Sequence, residues 1–365
     1  MRAIPGPSSL PNPGDLHGPA PVSDRDDLDR PLAERVKAAS YACMAYWFYR
    51  WDWGEAIAFD GLLATAEALA WDAALDYIDA ELERWLRSAP NGNLHSARLG
   101  PCNVLLSRRS SFEALEADNL LRQIATHSAE ALHASSGLML DAREQIYVDS
   151  LYGDPLFLWR AGDAFQNEGW RQAAIALALG HLAELQDEES GLVRHYAQGG
   201  TSTSGRHPIY WGRGNGWAAL GLSDLLSVVP GNVPGRDELA ARYRLLIDGL
   251  AHHQAPGGMW RNLIDRDSSY PESSTTAMVE AAISSSVATS ALPERFSEVA
   301  DAAWSAIEHR IDPSGHFSGV SYRPGLNRSA DRYEHVPAVG LYPWGNGAYL
   351  RAAARRLGRM TDKTP

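Results

Sequence analysis

Apolar positions in this chain recur at the spacing of a helix. Over residues 71–87, WDAALDYIDAELERWLR, Leu75, Ile78, Leu82 and Leu86 return every three or four positions, while Asp and Glu fill the opposite side. Residues 237–250 repeat the pattern through Leu239, Tyr243, Leu246, Ile247 and Leu250. Both predict helices with one wet face. Convincing alternation at the strand period is absent.

A second kind of segment is interleaved with these. Residues 53–69, 100–109, 154–162, 215–226, 273–283 and 344–357 are rich in Ala, Gly and Leu and mostly poor in charge. They predict helices buried on most sides, whose small residues permit close packing. The wet members fall at about 31–50, 71–87, 111–134, 168–187, 235–253 and 293–309. Wet and dry helices therefore alternate about six times, at intervals of roughly 45 to 70 residues. Six hairpins in a flat stack would leave their ends open, whereas closing them into a ring buries every dry helix. The pattern predicts an all-α fold, an (α/α)6 barrel of six helical hairpins forming a single domain over residues 31–360. An open α-solenoid is the alternative. In the barrel, the turns that precede the dry helices meet at one mouth.

Composition narrows the setting. Residues 1–30 are broken by Pro and Gly and lack an apolar core, so they predict a disordered or extended arm and not a signal peptide. A net charge of −12 with no Lys/Arg-rich run argues against nucleic acid as a partner. Cys43 and Cys102 are the only cysteines, too few for a disulfide framework or a thiolate metal site, which fits a cytoplasmic protein. No segment approaches the length of a transmembrane helix.

The residues expected at the mouth share a chemistry. They are Trp51 and Trp53; His95 and Arg98; Asp149, Tyr152 and Asp154; Tyr210, Trp211, Arg213, Asn215 and Trp217; Tyr270 and Glu272; and Tyr342 and Trp344. His195, in GLVRHY, lies on the loop leading toward the fourth dry helix. Aromatic faces stack on sugar C–H faces, and a guanidinium clamps a carboxylate through paired hydrogen bonds. The plainer reading is that these aromatics pack helix ends.

Two residues stand out. In YWGRGNGWAAL (210–220), Gly212, Gly214 and Gly216 are expected to adopt positive φ, Asn215 to cap the helix, and Arg213 to project over the cleft. The alternative makes Arg213 a structural cation paired with Asp149 or Glu272. In YVDSLYGDPLFL (147–158), Asp154 before Pro155 reads as an N-cap followed by a first-turn proline, which leaves Asp149 unexplained. Between Tyr147 and Tyr152, desolvation would raise the pKa of Asp149 and suit it to general-acid work. An Asx-turn is its structural alternative.

The series V-D-S-L-Y-G-D-P-L-F-L, R-H-Y, W-G-R-G-N-G-W and S-Y-P-E-S-S-T-T-A-M resembles glycoside hydrolase families 88 and 105. These are the unsaturated glucuronyl and rhamnogalacturonyl hydrolases, built on (α/α)6 barrels. The resemblance implies removal of a 4,5-unsaturated uronic acid from the non-reducing end of lyase-generated oligosaccharides. An aspartic acid protonates C4, water adds at C5, and the hemiketal opens to release the sugar. That aspartate maps onto Asp149. Substrate contacts map onto His195, Trp211, Arg213 and Trp217, with Trp53, Tyr152, Asn215, Tyr270 and Glu272 completing the expected binding set. No metal or cofactor is implied, and the partner is a small acidic oligosaccharide.

In one place the chain departs from the family. A second aspartate usually precedes the second dry helix, but this stretch reads Ala97-Arg98-Leu99-Gly100-Pro101-Cys102, with no Asp or Glu between Glu83 and Glu113. Glu55 and Glu272 are the candidates to replace it. Two other functions compete: a two-carboxylate glycosidase using Asp149 and Glu272, which needs carboxyls roughly 5 to 10 Å apart, and a non-catalytic carbohydrate-binding relative.

Overall fold

The segments expected to be dry helices form the inner ring. The computed structural model describes residues 31–88, 93–112, 114–132, 136–141, 144–198, 209–325 and 329–361; the arm expected at 1–30 lies outside them. The helices are α1 (Leu32–Met44), α2 (Trp53–Ala68), α3 (Asp72–Ser88), α4 (Leu94–Ala97), α5 (Cys102–Arg108), α6 (Ala114–Glu130) and α7 (Ser150–Ala164). They continue with α8 (Glu168–Leu185), α9 (Gly212–Val228), α10 (Arg236–His252), α11 (Ser273–Ala288), α12 (Phe296–Ile307), α13 (Ala330–Glu334) and α14 (Pro343–Thr361).

Each of α2, α5, α7, α9, α11 and α14 packs against the next, and α14 returns to α2. The ring is closed, which excludes the open solenoid. Closure depends on backbone contact: a Cβ on Gly61 would lie 2.5 Å from the Gly347 carbonyl, and one on Gly347 would lie 2.5 Å from the Ile57 carbonyl. Only residues without side chains let α2 and α14 approach this closely.

The outer helices α1, α3, α6, α8, α10 and α12 lie against this ring. Burial explains the two sequence patterns. Every residue of α11 from Ser273 to Val287 is buried, whereas α3 buries only Ala74, Ile78, Leu82, Trp85 and Leu86. No described helix is long and apolar enough to cross a membrane.

Two local features depart from expectation. The first outer helix stops at Met44, so residues 46–50 form an irregular segment. A short antiparallel ladder also joins β1 (Gln145–Tyr147) to β2 (Tyr196–Gln198), with Tyr147 opposite Tyr196. Three-residue strands are too short for alternation to reveal them.

Candidate functional site

The inner helices α2, α7 and α9 begin at the same mouth, where Trp53, Asp149 with Ser150, and Trp211 line one cavity of about 390 Å³. Helix N-termini carry partial positive charge, so this end of the ring favours an anion.

The ladder sets the central pair. Val148 N–H donates to the His195 carbonyl at 3.0 Å, and His195 N–H donates to the Ile209 carbonyl at 3.0 Å. This brings the chain leaving β1 against the chain entering β2. Asp149 Oδ2 then stands 3.7 Å from His195 Nε2, and the Tyr333 hydroxyl of α13 pairs with His195 Nδ1. Asp149 occupies the N-cap position of α7 but makes no capping bond. Its carboxyl is pushed up to about 6: burial outweighs the opposing pull of its own backbone amide, Arg213 and Arg323. The shift corresponds to a bias of about 3 kcal/mol toward the neutral acid.

The proposed cap at Asp154 is corrected. Helix α7 starts at Ser150, so Pro155 lies within it and Asp154 is an interior residue. Asp154 is buried in an ion pair with Arg98. The sequence suggested a cap because Asp-Pro is a frequent helix start; here the freed Leu151 carbonyl faces Gly221 of α9, and the helix continues through the proline.

Arg213 is corrected as well. It does not project over the cleft but is 0% exposed. Nη1 donates to the Ser321 carbonyl at 2.9 Å and to Ser321 Oγ at 2.6 Å, and Nη2 donates to the Tyr322 carbonyl at 2.9 Å. Glu272 Oε1 lies 3.7 Å away, so the structural alternative is the one found. The glycines beside it serve close approach and not positive φ, since all three fall within α9. A Cβ on Gly212 would sit 2.4 Å from the Arg261 carbonyl. Asn215 does not cap the helix either: its side-chain amide exchanges hydrogen bonds with Val193 N–H and carbonyl at 2.8 and 2.9 Å, fastening the His195 loop to α9.

Several other expected contacts lie behind the cavity. Trp217 is 1% exposed, packed between Trp53 and Tyr152 at centroid distances of 5.6 and 4.7 Å. Tyr152 directs its hydroxyl to Asp60, away from the mouth. Half-buried Tyr270 donates to the Val336 carbonyl at 2.8 Å. Glu272 is 0% exposed and caps α11, accepting from Thr275 N–H at 2.6 Å and Ser321 N–H at 2.8 Å. Glu55 accepts from the amides of Tyr49, Arg50 and Trp51. Neither glutamate lines the cavity, so neither replaces the second family aspartate there, and the fully buried Glu272 does not face a substrate beside Asp149.

Of the residues expected at the mouth, Trp53, His95, Arg98, Asp149, His195 and Trp211 meet in the cavity. Sequence reasoning missed Arg323, which borders the same space. Its guanidinium lies 4.8 Å from the Trp53 ring centroid, and Nη2 donates to Asp52 Oδ2 at 2.7 Å. Its Nε is buried without a hydrogen-bond partner among the described residues. Asp141 and Tyr147, joined by a 2.8 Å hydrogen bond, line the opposite wall. Arg323 follows no motif and lies in an irregular segment, so only the fold reveals it. Among the described residues, no group of His, Cys, Asp and Glu is arranged to hold a metal ion.

Comparison with known proteins gives the family and the fold. Residues 36–360 match the model of Glycosyl Hydrolase Family 88. The unsaturated rhamnogalacturonyl hydrolase YesR of Bacillus subtilis is 25% identical over 313 residues, covering 83% of this chain and 88% of that protein. An unsaturated 3S-rhamnoglycuronyl hydrolase of an Alteromonas species is 29% identical over 153 residues, 41% of this chain and 36% of that protein. Among solved structures, a possible family 105 member from Salmonella enterica serovar Paratyphi A superposes with a TM-score of 0.81 at 21% identity, covering 98% of this chain and 100% of that one. Unsaturated glucuronyl hydrolase from Bacillus sp. GL1 gives 0.69 at 17% identity, covering 89% and 96%.

Proposed function

Because the chain belongs to glycosyl hydrolase family 88, we propose that it removes a 4,5-unsaturated uronic acid from the non-reducing end of short oligosaccharides. The observation that carries this reading is a buried carboxyl, Asp149, with its pKa pushed up to about 6 on the wall of a cavity that also holds Arg323. A protonated acid beside a cation suits protonation of an anionic vinyl ether.

The roles follow from position. Asp149 delivers its proton to C4. Water then forms a bond to C5, and its remaining proton returns to the Asp149 carboxylate, so the acid is restored. The C5 hemiketal opens to a ketone, and the hemiacetal left at C1 expels the sugar. His195, fixed by Tyr333, holds the Asp149 carboxyl in place. Trp53 and Trp211 offer ring faces to the pyranose. Arg323 takes the charge-pairing role that the sequence suggested for Arg213, since its side chain borders the cavity. A cytoplasmic location belongs to the same reading, supported by the buried free thiols of Cys43 and Cys102.

The experiment is incubation with a lyase-generated unsaturated disaccharide. Loss of the ultraviolet absorbance of the C4=C5 bond, in step with sugar release, is expected. Sugar release with that absorbance unchanged would overturn the proposal.

A further inference from the structure

The ring holds a second, larger cavity at the end opposite the mouth. It measures about 630 Å³ and shares no lining residue with the catalytic cavity. Its walls include the last turns of α2 and α9, at Glu67 and Val228, and faces of α5, α7 and α14. Trp217 stands between Trp53, which lines the mouth cavity, and Tyr152, which lines this one. A volume of this size accommodates a small organic molecule.

Three arginines and three carboxylates border the space, but they do not all pair with one another. Asp224 accepts from Arg351 Nη2 through both oxygens, at 2.7 and 2.6 Å. Asp60 accepts from the Tyr152 hydroxyl, and Glu67 is exposed at the rim. Two cations remain. Arg160 donates to neutral groups, the Asn103 carbonyl at 3.3 Å and Ser107 Oγ at 2.8 Å. Arg355 follows Arg351 by one turn of α14 and has no hydrogen bond or ion pair among the described residues. Burial pulls the Arg160 guanidinium below its ordinary value, and the nearby charges of Asp60, Asp224 and Glu67 do not offset it. The carbonyl ends of α2 and α9 would by themselves attract cations to this face. Arg160 nevertheless donates to α5, and Arg355 donates to neither end. Two guanidiniums without a carboxylate, beside a cavity large enough for a ligand, are suited to receive an anion.

We propose that this far cavity is a second ligand site that takes a small polyhydroxylated anion, a sugar acid or a sugar phosphate, with its charged group received by Arg160 and Arg355. Asp224, Asn103 and Ser227 supply acceptors and donors for the hydroxyls on the same walls. The site is independent of the reaction proposed for the mouth, and calorimetry reads it without turnover. D-Glucuronate and D-glucose 6-phosphate are the anionic probes, and D-glucose is their neutral counterpart. Because glucuronate can also enter the mouth, wild type and Arg323→Gln are titrated in parallel. At least one anion should bind Arg323→Gln, and glucose should not. In that background, Arg160→Gln and Arg355→Gln should each weaken binding by about tenfold or more, while Arg355→Lys keeps most of the affinity. Whichever anion binds identifies carboxylate or phosphate as the recognised group. Arg355 is exposed and unpaired, so its replacement leaves no buried carboxylate without a partner, and an unchanged urea midpoint checks the fold. Failure of both anions to bind Arg323→Gln overturns the site. So does glucose binding as tightly as the anions, or anion binding that Arg160→Gln and Arg355→Gln leave intact.

Discussion

His195 Nε2 lies 3.7 Å from Asp149 Oδ2, and the two residues reach that distance from neighbouring ends of a two-stranded ladder. They are far apart in sequence but share one local scaffold, the Val148–His195–Ile209 hydrogen-bond relay. The acid is thus fixed by backbone pairing and not by a flexible loop alone.

Replacing Asp149 tests both chemistry and stability. Asp149→Asn keeps the shape and removes the proton donor, so turnover should be abolished while substrate binding remains measurable by calorimetry. The carboxyl's pKa is 3.8 in its ordinary state and about 6 in the folded protein. The native state therefore holds its proton more tightly than the unfolded chain. Stability falls as pH rises between these values and stays lower above them. With a quarter of the side chain exposed, the cost at neutral pH is of order 1–3 kcal/mol. Asp149→Asn should be more stable than wild type at pH 7.5 and equal to it near the acid end of that window, as read by urea unfolding. A variant that turns over substrate at near-normal rates would remove Asp149 from the mechanism.

Arg323 and Asp149 are coupled, and the sign of that coupling is testable. The guanidinium favours the ionised carboxyl, so it holds the Asp149 pKa below where burial alone would place it. Arg323→Gln should raise that pKa, and the limb of kcat/KM that falls as pH rises through about 6 should move to higher pH. Loss of a charge-assisted contact should also raise KM for the uronate substrate by about tenfold or more, and much less for its methyl ester. Equal effects on acid and ester would place the carboxylate elsewhere.

The sequence exposed the ring more fully than the site. Six charge-poor segments between amphipathic ones were enough to predict a closed barrel, because helix burial is written into local composition. Asp149, Trp53 and Trp211 were also visible as residues near helix starts, and His195 as a residue of the loop leading toward the fourth dry helix. What misled was the assumption that polar residues at a helix start face the opening. Arg213, Asn215 and Glu272 lie in such turns, yet their side chains point inward and satisfy backbone groups of Ser321, Tyr322, Val193 and Thr275. Such backbone partners lie on distant segments, and one sequence gives no sign of them. Arg323 was hidden for the converse reason: it lies in a stretch with no periodicity, and its place is set by Asp52 and Trp53 from the other end of the chain.

Arg213 should accordingly behave as a structural residue. Arg213→Gln removes its bonds to Ser321 and Tyr322 and leaves Glu272 buried with its cation gone. Truncating one partner of a buried pair costs about 3–5 kcal/mol, so the midpoint of urea unfolding should fall sharply. Arg213→Lys should recover little, since an ammonium does not reproduce donation from two separate guanidinium nitrogens to Ser321 and Tyr322. Any folded fraction should lose affinity for uronate and methyl ester alike, because the segment that carries Arg323 directly follows the two residues Arg213 holds. A stable Arg213→Gln protein with a selective loss of uronate affinity would instead return this residue to the binding site.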